Sequence, residues 1–156
     1  MNLKMLGAFA AVALLAACAT PPVTATSGAG TAVAAGPAPG SEQDLVKNVG
    51  NRVFFAFNKS ALKPDAKATL DRQAAWLEKY TQDNVQVAGN CDDRGTEEYN
   101  IALGWRRANA ARDYLVAKGV AANRITTISY GKDRPIALGD NEKAWAQNRN
   151  ATTSVR

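Results

Sequence analysis

Apolar residues between positions 53 and 155 recur with two alternating periods, and this alternation constrains the fold more than any other feature of the sequence. Period-two stretches predict strands at residues 53–57, 85–91, 125–130 and 151–155. Helical periods between them predict a helix from Pro64 to about Tyr80, a longer one over residues 97–118 and a short one over residues 141–148. The order β-α-β-α-β-α-β predicts an α+β sandwich, with its helices packed on one face of a mixed sheet.

The same periods predict which side chains form the core. In the strands, the inward-facing residues are Val53, Phe55 and Phe57, followed by Val85, Val87, Gly89 and Cys91. On the first two helices, the apolar faces consist of Ala66, Leu70, Ala74 and Leu77, and of Ile101, Ala108, Ala111 and Leu115. Gly119 is predicted to cap the end of the longer helix.

The first 17 residues have the pattern of a secretory signal peptide. Lys4 precedes an apolar run over residues 5–15, which is shorter than the roughly 20 residues that a membrane-spanning helix needs. The run leads into Leu15, Ala16, Ala17 and Cys18, which resemble a bacterial lipobox. We therefore expect cleavage before Cys18, acylation of its sulfur with palmitate or a similar chain, and stable anchoring in a membrane by lipid.

A segment without apolar periodicity follows the predicted lipidation site. Residues 20–42 consist almost entirely of Ala, Gly, Pro, Ser and Thr, a composition typical of a flexible linker that spans roughly 25–30 Å. The predicted organisation is a signal peptide at residues 1–17, a lipidated cysteine and linker at 18–42, and one domain at 43–156. A domain of that length can form a single compact core.

The composition excludes several classes of function. The chain contains no histidine, so it lacks the commonest general base and the usual zinc ligand. The net charge of +5 is spread along the chain, which argues against nucleic-acid binding. With Cys18 assigned to lipid, Cys91 has no partner for an intramolecular disulfide; it is a free thiol, an intermolecular bridge or a small buried residue.

One long motif points to a family. Residues 89–104 read GNCDDRGTEEYNIALG and are followed by Arg106, Arg107 and Ala108. This stretch resembles the signature of the OmpA-like C-terminal domain family, in particular that of its peptidoglycan-associated lipoproteins. The similarity extends from about Val53 to Asn150.

The resemblance implies a non-enzymatic protein that needs no cofactor or metal. Its members bind peptidoglycan through diaminopimelate, whose amino-acid centre calls for an anion and a cation placed close together. Asp92 and Arg107 match the family positions with these roles, and Phe57, Asn58, Asn90 and Arg149 match positions that border the ligand. By resemblance, the chain lies on the periplasmic face of the outer membrane, tethers it to peptidoglycan, and binds TolB and other proteins of the Tol-Pal system in envelope integrity and cell division.

The sequence departs from the family pattern at several positions. Asn58 replaces a usual aspartate and Asn150 replaces the second of two arginines, so charge is lost beside the predicted site. An exposed Trp105 replaces a polar residue and marks either a partner surface or a contact with the domain itself. These departures leave an alternative open: a TolB-docking envelope protein with weak or lost peptidoglycan binding.

A third hypothesis is a lipid-anchored glycosidase, which needs a pair of carboxylates. Asp92, Asp93, Glu97 and Glu98 supply carboxylates in the same short stretch. Their position at the predicted start of a helix favours a simpler interpretation, because acidic residues there compensate the helix dipole.

Overall fold

The computed structural model describes residues 36–156. The predicted signal peptide, Cys18 and most of the predicted linker lie outside this range. The described elements are α1 (Glu42–Asp44), continued by a π-helical turn (Leu45–Val49), β1 (Arg52–Phe54), α2 (Pro64–Lys79), β2 (Val85–Asn90), α3 (Glu97–Ala117), a 3-10 turn (Ala122–Arg124), β3 (Ile125–Gly131), α4 (Glu142–Asn148) and β4 (Asn150–Val155). None of these helices is long and apolar enough to cross a membrane.

The four strands form one mixed sheet in the order β1-β4-β2-β3. β4 runs antiparallel to both β1 and β2, and β3 runs parallel to β2. The predicted α+β class and mixed sheet are therefore confirmed. The parallel β2–β3 pair is connected through α3, as a parallel crossover requires.

The hydrophobic core lies between this sheet and α2 and α3. Its fully buried members include Leu45, Phe55, Leu70, Leu77, Val85, Val87, Ala108, Ala111 and Leu115. The predicted inward faces of α2 and β2 are confirmed, because each of their predicted residues is buried. Ile101 on α3 is only partly buried.

Two features at the start of the domain differ from the sequence prediction. The helical residues 42–49 were not predicted; Ser41 caps them by accepting a hydrogen bond from the Asp44 amide, and Asp44 accepts one from the Trp76 indole. The first strand was predicted to continue to Phe57 and to bury it, which is wrong. β1 ends at Phe54, the chain turns between Ala56 and Lys59, and Phe57 is 56% exposed.

The sheet and α3 approach each other closely at two glycines, Gly89 on β2 and Gly104 on α3. A Cβ atom on Gly89 would lie 1.8 Å from the carbonyl oxygen of Gly104. No side chain fits in that space, so glycine allows α3 to pack directly on the strand that precedes the predicted ligand loop.

Candidate functional site

A pocket of about 140 Å³ opens where the end of β1, the loop after β2 and the first turns of α3 meet. Its lining combines an acid, two arginines, two aromatic rings, two side-chain amides, a leucine and a glycine: Phe57, Asn58, Asp92, Arg94, Gly95, Tyr99, Asn100, Leu103 and Arg107. Four of the six predicted ligand-binding residues, Phe57, Asn58, Asp92 and Arg107, therefore line one pocket.

The loop that carries Asp92 is fixed by the beginning of α3. The Thr96 hydroxyl caps the helix by accepting a hydrogen bond from the Tyr99 amide. The Asn100 side chain donates to the carbonyls of Arg94 and Thr96, at 2.8 and 3.0 Å. Gly95 adopts a φ of 89°, which favours glycine. These contacts fold the loop back over the helix, so Asp92 and Arg107 reach one pocket although 15 positions separate them.

Asp92 is a buried carboxylate held by two arginines. It is 4% exposed, and its Oδ2 accepts hydrogen bonds from Arg94 at 2.5 Å and from Arg149 at 3.1 Å. Burial by itself raises the pKa of Asp92, but the hydrogen bonds and positive charges of Arg94 and Arg149 outweigh it and leave the pKa below its usual value. The group is therefore ionised at neutral pH. Both bonds fall on Oδ2, and no donor within residues 36–156 contacts Oδ1.

Arg107 is fully buried and connects α3 to two other segments of backbone, the turn after β1 and the end of β2. Its guanidinium donates to the carbonyls of Lys59 at 2.9 Å, Asn90 at 2.8 Å and Ala56 at 3.3 Å. A further contact reaches the Cys91 sulfur at 3.3 Å. These four bonds use four of the five guanidinium N–H groups, so one N–H on Nη2 remains for a ligand. Burial lowers the pKa of Arg107 from its ordinary high value.

The other wall of the pocket carries Asn58 and Phe57. Asn58 has a φ of 56°, and its side-chain oxygen accepts a hydrogen bond from the Tyr99 hydroxyl. The neutral amide that replaces the family's aspartate is thus oriented by α3. The exposed Phe57 ring stacks on the guanidinium of Arg94, with 4.0 Å between the ring centre and the Cζ atom.

Arg94 is a pocket residue that sequence reasoning did not select. Its guanidinium lies between two aromatic rings, since the Trp145 ring centre is also 4.0 Å from Cζ. The same group binds Asp92 and lies 4.0 Å from Glu142. Position 94 belongs to the recognised motif, but the partners that give it this role are 37 and 51 positions away, and no local pattern indicates them.

Two predicted residues lie outside the pocket lining. Arg149 is buried behind Asp92 and also binds Glu142. Asn90 offers only its carbonyl to Arg107, because its side chain points to the other face of the sheet and donates to Asn150 at 2.9 Å. Asn150 is fully buried and donates to the carbonyls of Gln147 and Asn148.

Cys91 and Trp105 lie near this site without lining it. Cys91 is 3% exposed and faces the core. Of the three roles considered for it, this burial favours a small buried residue. Burial is the main reason that the pKa of its thiol is raised, which keeps the group protonated. Trp105 is 41% exposed on α3. No cluster of metal-ligating side chains occurs within residues 36–156.

Comparison with known proteins identifies the family. The OmpA family model matches residues 54–149, which include every pocket residue. A peptidoglycan-associated lipoprotein of Rhizobium meliloti is 51% identical over 140 residues, covering 89% of this chain and 80% of that protein. One of Mesorhizobium japonicum is 53% identical over 129 residues, covering 83% of this chain and 74% of that protein.

A solved structure supports the same assignment. The crystal structure of the peptidoglycan-associated lipoprotein from Burkholderia pseudomallei is 39% identical, covers 68% of this chain and 90% of its own, and superposes with a TM-score of 0.66. The prediction that the chain is not an enzyme agrees with the names of these relatives, which describe association with peptidoglycan. The chain belongs to the OmpA family, among the members named peptidoglycan-associated lipoproteins.

Proposed function

We propose that this protein is an outer-membrane lipoprotein that binds peptidoglycan non-covalently through diaminopimelate of the stem peptide. The observation that carries the proposal is the placement of a buried, ionised Asp92 and of Arg107 in the lining of one pocket. An amino-acid centre presents an ammonium and a carboxylate on one carbon, and both groups need a charged partner when they leave water.

The free atoms of the pocket suggest how such a ligand is held. The ligand ammonium donates to Oδ1 of Asp92, which accepts no bond within the described residues, and to the oxygen of Asn58. The ligand carboxylate accepts from the remaining N–H of Arg107 and meets the positive charge of Arg94. Asn58 contributes an acceptor without a charge, so this arrangement gives Asp92 the main attraction for the ammonium.

Binding of peptidoglycan is tested by co-sedimentation of a fragment of residues 36–156 with purified sacculi. The fragment begins before Gly40 because the Gly40 amide donates to Asp44, and because Glu42 accepts from the amide of Val155. The parent fragment should pellet with the sacculi, and free diaminopimelate should release it. Cadaverine, which has two amino groups but no carboxylate and therefore no amino-acid centre, should not.

A matched pair of variants tests the site. Asp92→Asn removes the negative charge while keeping the shape of the side chain. We expect most of this variant to stay in the supernatant when the sacculi are pelleted. Asp93→Asn removes the same charge from the exposed neighbouring residue and should bind like the parent. If the folded parent fragment fails to sediment, the peptidoglycan proposal is wrong, and the alternative of a TolB-docking protein with lost wall binding takes its place.

We further propose that Cys18 is acylated and that residues 19–39 link the lipid to the domain; the predicted linker extended to residue 42, but Gly40, Ser41 and Glu42 are bound within the domain. This arrangement makes the protein a tether between the outer membrane and the wall, and it follows from the lipobox-like residues 15–18. Cys18→Ser should move the protein from the membrane fraction to the soluble fraction. Unchanged membrane association would contradict the lipid anchor.

Participation in the Tol-Pal system is part of the same proposal and rests on the family resemblance. A direct binding measurement between the purified chain and TolB tests it. Trp105→Ala examines whether the exposed indole on α3 contributes, with Arg112→Ala on the same helix as its control. Loss of affinity in the tryptophan variant alone would assign Trp105 to the partner surface.

A further inference from the structure

The face of the sheet that points away from α2 and α3 carries positive charge and no acidic side chain. It consists of the alternate residues of β1–β4 that do not enter the core, with Arg134 at its edge; we call it the open sheet face. Arg52 from β1 and Arg156 after β4 lie on it, and its other strand residues are uncharged.

A shallow cavity of about 260 Å³ lies in this face. Arg52, Arg134, Tyr130, Gln86, Thr152 and Ser154 are among its lining residues, and no aspartate or glutamate lines it. Four other concavities of the described domain each contain at least one carboxylate. Within residues 36–156, no acidic group lies within 4.0 Å of either cavity arginine.

Both cavity arginines are held in position while keeping free donors. Arg52 donates from Nε to the Thr152 hydroxyl at 3.2 Å, and its two terminal nitrogens make no hydrogen bond within the described residues. The Arg134 guanidinium stacks on the Tyr130 ring, with 3.6 Å between Cζ and the ring centre. A stacked or singly bonded guanidinium loses less conformational freedom when it binds a carboxylate than a free one does.

We propose that the open sheet face docks an acidic segment of a partner protein, whose carboxylates bind Arg52 and Arg134. Charge complementarity identifies the partner's acidic character, because two preoriented cations lie in a cavity without acids. The neighbouring groups favour a polypeptide, since arginine and tyrosine beside the 44% exposed Ile136 form a composition typical of protein interfaces. This surface is separate from the peptidoglycan pocket, so the proposal stands independently of that function.

The test measures binding of a fluorescein-labelled oligoglutamate peptide to the full-length chain in a non-ionic detergent, by fluorescence anisotropy. The double variant Arg52→Gln, Arg134→Gln should bind about tenfold more weakly, since each partly exposed charge pair contributes up to about fivefold. The control, Arg106→Gln with Arg112→Gln, removes the same charge from α3 and should bind like the parent. Equal losses in the two double variants, or no binding by the parent, would overturn the proposal.

A second measurement does not depend on the stability of a variant. Amide chemical shifts of the unmodified chain should change on addition of the peptide at Ala88, Tyr130 and Thr152, and remain constant at Asp92 and Tyr99. Changes confined to the peptidoglycan pocket would overturn the proposal.

Two further arms distinguish other sources of negative charge. Vesicles of phosphatidylglycerol and purified sacculi are each tested against the same double variants. Binding to either that depends on Arg52 and Arg134, without binding of oligoglutamate, would assign the face to the membrane or the wall and overturn the protein-docking proposal. The expected result is that oligoglutamate binding alone depends on Arg52 and Arg134, while binding to sacculi is the same in the parent and in both double variants.

Discussion

Replacing Arg107 with alanine is expected to destabilise the whole domain, although the position is predicted to bind a ligand. The guanidinium is the hydrogen-bond donor for the backbone carbonyls of Ala56, Lys59 and Asn90, which belong to the turn after β1 and the end of β2. The side chain itself is fully buried. Its removal therefore leaves the carbonyls of Lys59 and Asn90 without this donor and opens a cavity in the interior, while the Ala56 carbonyl keeps the Lys59 amide as a donor.

The magnitude follows from these contacts. Leaving a buried acceptor unsatisfied costs about 1–3 kcal/mol, so two such acceptors give about 2–4 kcal/mol after water satisfies part of the loss. The free energy of unfolding of a domain this size is about 5–15 kcal/mol. The Arg107→Ala variant should therefore lose a large part of this free energy.

Urea denaturation followed by circular dichroism measures this loss. Arg106→Ala is the control, because Arg106 is exposed on the same helix, and its stability should change by no more than about 0.5 kcal/mol. A loss below about 1 kcal/mol for Arg107→Ala would refute the reasoning. If the prediction holds, failure of the Arg107→Ala variant to bind peptidoglycan does not separate lost stability from a lost ligand contact, and Asp92→Asn is the informative substitution.

Three other predictions test the site and its supports. Because the pKa of Asp92 is depressed, its stabilising contribution is complete above the ordinary carboxyl pKa of about 4 and is lost as pH falls below it. The urea midpoint of the parent should therefore decrease as pH falls below about 4. Asp92→Asn should make the midpoint less dependent on pH. Gly89→Ala should lower stability by at least about 2–3 kcal/mol, because the new Cβ would overlap the Gly104 carbonyl. Gly36 has open space around it, so Gly36→Ala should melt like the parent. Equal melting temperatures for the two variants would contradict the packing argument. The buried Cys91 thiol, with its raised pKa, should resist iodoacetamide in the folded protein and react in urea. Peptide mass spectrometry measures the labelling. Rapid labelling of the folded protein would show that the thiol is accessible and contradict the prediction.

Much of the fold was readable from local patterns. The period-two and helical repeats predicted four strands and three helices in the correct order, and they identified the buried faces of β2 and α2. Gly119 ends α3 with a φ of 101°, as its position after the helical repeat predicted. These features are local because each depends on residues within a few turns or one strand.

Where the periodicity failed, contacts distant in sequence decided the outcome. Val53, Phe55 and Phe57 have equivalent places in the pattern, but the Phe55 amide bonds to the carbonyl of Arg149 and the chain then turns, so Phe57 leaves the sheet. The helical residues from Glu42 have no apolar repeat. They are held by two hydrogen bonds, one from the Trp76 indole to Asp44 and one from the Val155 amide to Glu42.

The candidate site divides in the same way. The sequence by itself determined the residue types, because the motif around Asp92 and Arg107 is contiguous and belongs to a known family. Tertiary structure decided their states. Asp92 is kept ionised by Arg94 and by Arg149, which follows α4, and Arg107 supports the turn after β1 and the end of β2. Arg94 packs against Trp145 from α4. Burial and charge depend on which segments pack together, and packing joins residues that no local pattern relates.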